Sequence, residues 1–478
     1  MTERYVRHHA RSFLIPHTSF LIPHPSSLIC MFDVNFWQWV IVISSSLLMF
    51  LISPFAKTND TFFRAKSETN HAPGVFLLTS SMVISWIFAK SITNAANLGM
   101  AYGFVGGVAY ATYYFSFLVA GIVIYRMRTK GGYSSIHQFI GTKFGMRAVA
   151  IFSILIAFRL FNEVWSNTMV IGSYFGEKGS GPYYTAVLVF TALTLAYTLK
   201  GGMRSALMTD MVQMGLFSLL LIIILGVLLP REQGDLGKFV QSGEWQLSQG
   251  LNLLFVALIQ VFSYPFHDPV LTDRGFISTP KTTLKSYVLA TVIGFTCILL
   301  FSFVGIYARF NQLEGEAPVA VSRSLGAAMM LMMNFIMVTS ASACIDSAFA
   351  SFSKLTVVDL GNPEKASAFR GRVAMIIIAV AGTLPVFLGP EILSATTISG
   401  TMVIGFAPVF LCWNVKVPPL AFYLSVGAGV VIGLLFTFGW FPADLVLFPG
   451  KYGDLFSVNL LGTVLCFSLF FLSKFLNR

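Results

Sequence analysis

The stretch SSMVISWIFAKSITNAANLGMAYG, residues 80–103, starts as an apolar helix and loses its apolar character halfway along. Lys90, Ser91, Thr93, Asn94 and Asn97 interrupt it, and Gly99 and Gly103 follow. In a bilayer no water satisfies an unpaired backbone group. An interruption at mid-depth therefore predicts either a helix that unwinds to show carbonyls and amides to a ligand, or a polar helix packed inside a bundle. The choice between those two readings decides the fold.

The remaining sequence settles that the medium is a membrane. Of 478 residues, 56% are hydrophobic and 11% charged, against roughly 25% charged in a soluble domain. So few charges cannot cover the surface of a soluble chain this long. Disorder, a disulfide scaffold and a nucleic-acid-binding domain are excluded on the same ground. Apolar runs of about 20 residues, enough to cross the hydrocarbon core, lie near 36–55, 76–100, 104–125, 148–174, 183–199, 207–230 and 250–267. Others lie near 286–308, 326–355, 373–388, 392–412, 419–440 and 455–473. The expectation is an all-α membrane protein of about 13 spans, with its core at about 75–412 and peripheral helices at 36–55, 419–440 and 455–473.

Basic residues in the connections give the orientation. With the amino end outside, the inner loops carry 19 Lys and Arg and the outer loops 6. That predicts a multi-pass protein of the plasma (inner) membrane with its carboxyl end inside. It also explains most of the net charge of +11 without a nucleic-acid partner. Residues 1–30 contain the tandem repeat SFLIPH at 12–17 and 19–24 and read as a non-native or disordered extension, with Met31 as the expected start. Residues 31–478 then form one polytopic domain. Cys30, Cys297, Cys344, Cys412 and Cys466 have no metal-ligand spacing and read as free thiols.

Charges inside spans are costly, so each marks a candidate site. Arg159 and Glu163 in the fourth span are four apart and share a helix face. In the seventh, SYPFHDPVLTDR sets His267 and Asp268 between Pro265 and Pro269, where the backbone must break. Asp346 of the ninth sits in TSASACIDSAFASFS, whose small and hydroxyl side chains suit either close helix packing or a hard cation. The interrupted spans are the second and seventh. Five spans apart, they fit two inverted five-helix repeats over spans 2–11, with a site at their interface.

The segment YTLKGGMRSALMTDMVQMGLF, residues 197–217, resembles the signature of the sodium/solute symporter family, matching it at Tyr197, Thr198, Gly201, Gly202, Thr209, Asp210 and Gln213. HQFIGTKFG (137–145) and SAFASFSKLTVVDL (347–360) are similar to further segments of that family. YPFHDPVLTDR (264–274) lines up with the Y-W-x-x-N-Q-x-x-x-Q-R segment of its sugar carriers. The resemblance implies a leucine-transporter-type fold, alternating access and sodium-driven symport of a small polar or charged solute. It places the ion on the carbonyls of Ile84, Ile87 and Ser340, with Asp210 nearby, and on two hydroxyl positions that are Ala343 and Cys344 in this chain. A methyl is no ligand for a hard ion and a thiol is a poor one.

Lys90 therefore has two expected roles. Its ammonium replaces the ion, pairing with Asp346 or Glu163 in a proton-coupled or uncoupled carrier, or it meets a substrate carboxylate. The expected substrate residues are Lys90, Ser91, Asn94, Glu163, Tyr264, His267, Asp268 and Asp346. No cofactor is expected beyond sodium as coupling ion. The chain carries no paired His/Glu metal motif and no Gly-x-Ser-x-Gly turn, so an enzyme is not expected. A membrane sensor is the competing class, disfavoured because the chain ends a few residues after its last span.

Overall fold

The computed structural model describes residues 25–67, 69–361, 363–388 and 400–476, and these contain helices and no strands. The tandem repeat lies outside them. Among the described residues ten helices are long and apolar enough to cross a membrane, or eleven when a bent pair counts as one span. Of the thirteen runs read from the sequence, the seventh yields only the ten-residue helix Leu251–Gln260 before the chain turns irregular. The eleventh falls partly outside the described residues.

In chain order we label α1 (Pro25–Ile52), α2 (Val75–Trp86), α3 (Ala89–Tyr102), α4 (Phe104–Thr129), α5 (Met146–Phe175), α6 (Gly181–Gly201) and α7 (Met203–Arg231). There follow α8 (Leu251–Gln260), α9 (Pro269–Arg274), α10 (Pro280–Phe310), α11 (Ala327–Lys354), α12 (Ala368–Thr383), α13 (Leu420–Thr437) and α14 (Gly453–Leu476). Lipid takes the place of a polar skin. On α7, Leu219, Ile222 and Ile223 are exposed, while Asp210 and Gln213 of the same helix are fully buried. The polarity is inverted relative to a soluble helix.

The second span is broken. α2 and α3 meet at 60°. Ile87 (ψ 56°) and Phe88 (ψ 160°) leave the helical region although neither glycine nor proline stands there. The end of α2 is held from outside, since the Tyr114 hydroxyl donates to the Trp86 carbonyl at 2.6 Å. The seventh span breaks between α8 and α9 at the turn Tyr264–His267, where Pro265 and Pro269 remove backbone donors. Asp268 caps α9 by accepting from the Leu271 amide at 3.3 Å. Two broken helices five spans apart are the arrangement the sequence predicts.

α3 is clamped against α10 by glycines. A Cβ on Gly305 would lie 1.7 Å from the Ala96 carbonyl oxygen, and one on Gly99 2.3 Å from that of Ser302. Backbones this close tolerate no side chain. Gly305→Val is expected to force the pair apart, at the upper end of the ~1–3 kcal/mol typical of overpacking or beyond it. Thermal unfolding of the purified variant in detergent checks this; an unchanged midpoint would mean that the two helices do not touch.

Candidate functional site

The unwound junction of α2 and α3 faces the Tyr264 turn across a cavity of about 70 Å³. Trp86, Phe88, Tyr110, Tyr113, Tyr114 and Tyr264 wall it, and Ser91, Asn94 and Gln260 supply polar groups. Trp86 meets Tyr264 edge-on at 5.7 Å between centroids, and Tyr113 lies 6.0 Å from Tyr264. The Tyr110 hydroxyl donates to Ser91 Oγ at 3.2 Å and accepts from the Asn94 amide at 3.3 Å. Tyr113 donates to Gln260 Oε1 at 2.9 Å, and Gln260 donates in turn to Asn459 at 2.8 Å. The lining is thus fixed in place by its own hydrogen bonds. Ser91, Asn94 and Tyr264, expected at the substrate, are all part of it.

The expected charges are elsewhere. Lys90 Nζ donates at 3.0 Å to Glu163 Oε1 and at 3.0 Å to Ser166 Oγ. Arg159 pairs with Glu163 one turn along α5 and with Asp268 at 3.3 Å. Glu163 Oε2 accepts from the Asn167 amide at 3.0 Å and from the Cys344 thiol at 3.2 Å. All four charged side chains are buried. Buried charges persist only when paired, and here two cations face two carboxylates in a closed layer behind the cavity wall. Lys90 Nζ sits 4.8 Å from the centroid of the Phe88 ring, and the Arg159 guanidinium 5.2 Å from that of Tyr264. His267 is buried beside this layer, its Nδ1 2.5 Å from the Tyr264 carbonyl oxygen, and does not line the cavity. Of the two partners the sequence allows for Lys90, the geometry selects Glu163.

Asp346 belongs to a second buried cluster. Its Oδ2 accepts from Tyr197 at 3.0 Å and Thr209 at 2.8 Å. Asp210 Oδ2 accepts from Arg274 at 3.1 Å, Ser81 at 2.5 Å and Ser347 at 3.3 Å. Gln213 donates to Ser342 Oγ at 2.8 Å. Tyr197, Thr209, Asp210 and Gln213, scattered along the 197–217 signature, therefore converge on α11. Arg274 reads in the sequence as an inner-loop charge; it is instead buried at the end of α9, bonded also to Ser347 at 2.7 Å and to the Val270 carbonyl at 2.6 Å. Its signal was available as the closing Arg of the 264–274 segment.

At the expected ion position, Ile84 and Ile87 are buried at the break of the second span. Ser340 is buried on α11, its hydroxyl unpartnered among the described residues. Ala343 and Cys344 are also buried, and the thiol is committed to Glu163. Sequence reasoning missed Trp86, Tyr110, Tyr113 and Gln260, because in a chain that is 15% aromatic nothing local separates a cavity aromatic from a core one.

Two larger cavities lie elsewhere in the bundle. One, of about 540 Å³, is lined by Asn97, Glu316, Lys178 and Lys451, and shares Asn94, Leu98 and Tyr452 with the central cavity. The other, of about 640 Å³, is lined by Arg64, Lys66, His137 and Asp273. There Lys354 ties Asp273 (2.6 Å) to Asp359 (2.9 Å). Burial holds the His137 imidazole below its usual range, although Asp359 stands 3.8 Å away.

Comparison of the sequence with protein-family models and with curated proteins finds no match. Comparison with solved structures does. A Na+-coupled sialic acid symporter in a substrate-bound outward-open state is 14% identical, with a TM-score of 0.66 over 92% of this chain and 98% of that one. Mhp1, a nucleobase-cation-symport-1 family transporter, in a closed conformation with bromovinylhydantoin bound, is 13% identical, with a TM-score of 0.52 over 87% of this chain and 95% of its own. Its inward-facing conformation is 11% identical, with a TM-score of 0.53 over 87% and 94%. At such identities the similarity is one of architecture, and it extends over nearly the whole length of each neighbour. The chain has the leucine-transporter-type fold that the resemblance of its 197–217 segment implies.

Proposed function

We propose that the protein is a secondary active transporter, moving a small solute through the bilayer by alternating access, with sodium as the coupling ion. The observation that carries this reading is the small aromatic cavity at the break of the second span, continuous through Asn94, Leu98 and Tyr452 with a larger cavity lined by Asn97, Glu316, Lys178 and Lys451. A carrier needs a central site and two access paths that are never open together. The positive-inside count makes the end with Arg64 and Lys66 cytoplasmic. The fold shared with cation symporters supports ion coupling, and the unwound junction at Ile84 and Ile87, with Ser340, supplies oxygens for a hard cation.

One observation favours a second reading, proton-coupled or uncoupled transport. Ala343 offers no ligand, and Cys344 is bonded to the carboxylate that holds Lys90. Sodium alone is the test. A cation that binds the folded state raises stability by RT ln(1 + [L]/Kd), about 1.4 kcal/mol at ten times Kd. A saturable rise in melting temperature is therefore expected in sodium chloride over choline chloride. Identical melting in the two salts would remove sodium and leave the second reading.

A further inference from the structure

Among the described residues none that lines the central cavity is charged, and that fact bears on what it can hold. Lys90, Arg159, Glu163 and Asp268, which stand outside that lining, are spent on one another: every cation has a carboxylate within 3.3 Å and every carboxylate a cation. A ligand carboxylate entering the cavity would meet the rings of Phe88 and Tyr264 and lose its water without gaining a counter-ion. An ammonium would do no better. Aromatic walls ordinarily attract cations through their ring faces, but Phe88 and Tyr264 already carry Lys90 at 4.8 Å and Arg159 at 5.2 Å. A further cation would find no carboxylate in the described lining to pair with.

One buried polar group among the residues of the lining is unspent. The Trp86 indole N–H is buried and has no hydrogen-bond partner among the described residues, while its ring is fixed edge-on against Tyr114 and Tyr264. Buried indole N–H groups ordinarily find an acceptor. Ser91, Asn94 and Gln260 stand on the same cavity as further amide and hydroxyl groups. At about 70 Å³ the space suits a compact, flat molecule lying between rings.

Resting on the transporter reading above, we propose that the substrate is a small uncharged amide, whose carbonyl oxygen accepts from Trp86 Nε1 and whose plane lies among the aromatic rings, and that charged relatives of the same size are excluded. This narrows the polar or charged solute expected from the sequence to the uncharged class.

The test is equilibrium binding to the purified full-length protein, followed by thermal shift and calorimetry. The neutral probes are 2-pyrrolidinone and propionamide; the charged ones are pyroglutamate, which adds a carboxylate to the same lactam, and pyrrolidine, a cation of the same ring size. Saturable binding is expected for at least one neutral probe, with at least tenfold weaker binding of both charged compounds. Trp86→Phe keeps a ring and removes the donor, and is expected to weaken the neutral probe about tenfold. Equal or tighter binding of a charged relative overturns the proposal, as does the absence of binding by both neutral probes. Trp86→Phe binding at wild-type strength overturns the role of the indole. Binding without uptake of the labelled probe into proteoliposomes would instead defeat the transporter reading and leave the ligand class standing.

Discussion

Glu163→Gln is expected to lower stability by about 3–5 kcal/mol, the usual result of removing one member of a buried ion pair. Glu163 is the centre of the charged layer: it takes Lys90, Arg159, Asn167 and the Cys344 thiol on its two oxygens. With glutamine in its place, two buried cations share only Asp268, and Lys90 keeps Ser166 as its polar partner. The expected readout is a large drop in melting temperature in detergent, or loss of folded protein altogether. Adding Lys90→Met should recover most of the loss, since Arg159 and Asp268 then balance. A single variant that melts like the wild type would sink this account, and so would a double variant worse than the single.

Arg274→Met is the second large effect, also of about 3–5 kcal/mol. Arg274 bonds Asp210, Ser81 and Ser347, and so ties the second, sixth, seventh and ninth spans together. Without it Asp210 keeps only hydroxyl donors, and Asp346 on the facing helix is a second buried carboxylate. Asp210→Asn in the same background removes the stranded charge and is expected to restore folding. It should not restore coupled transport if the Asp210 cluster holds the spans in register. Melting and proteoliposome uptake separate the two effects; full uptake by the single variant would make Arg274 dispensable.

The spans and the two breaks were readable because each is a one-dimensional signal: hydropathy over some twenty residues, or polar residues and prolines at mid-span. What the sequence does not hold is which charge meets which. Lys90 is 73 positions from Glu163 and 256 from Asp346, and only the packing of α3 against α5 decides between them. Arg274 shows the opposite error, since a hydropathy window places it beyond its span whereas the short helix α9 carries it back into the bundle. The cavity aromatics Trp86 and Tyr113 gave no local sign at all, being selected by the shape of the break. The 197–217 segment, by contrast, named four residues that meet one helix, though not that Arg274 would occupy the cluster with them.

The charged layer also has an electrical consequence. Moving one elementary charge through the membrane potential takes about 2.3 kcal/mol per 100 mV. Lys90 and Arg159 against Glu163 and Asp268 sum to nothing, so rocking this layer between the two faces does almost no work against the field. With an uncharged solute as well, the steepness with which uptake follows voltage would report directly on the number of coupling ions carried in each cycle.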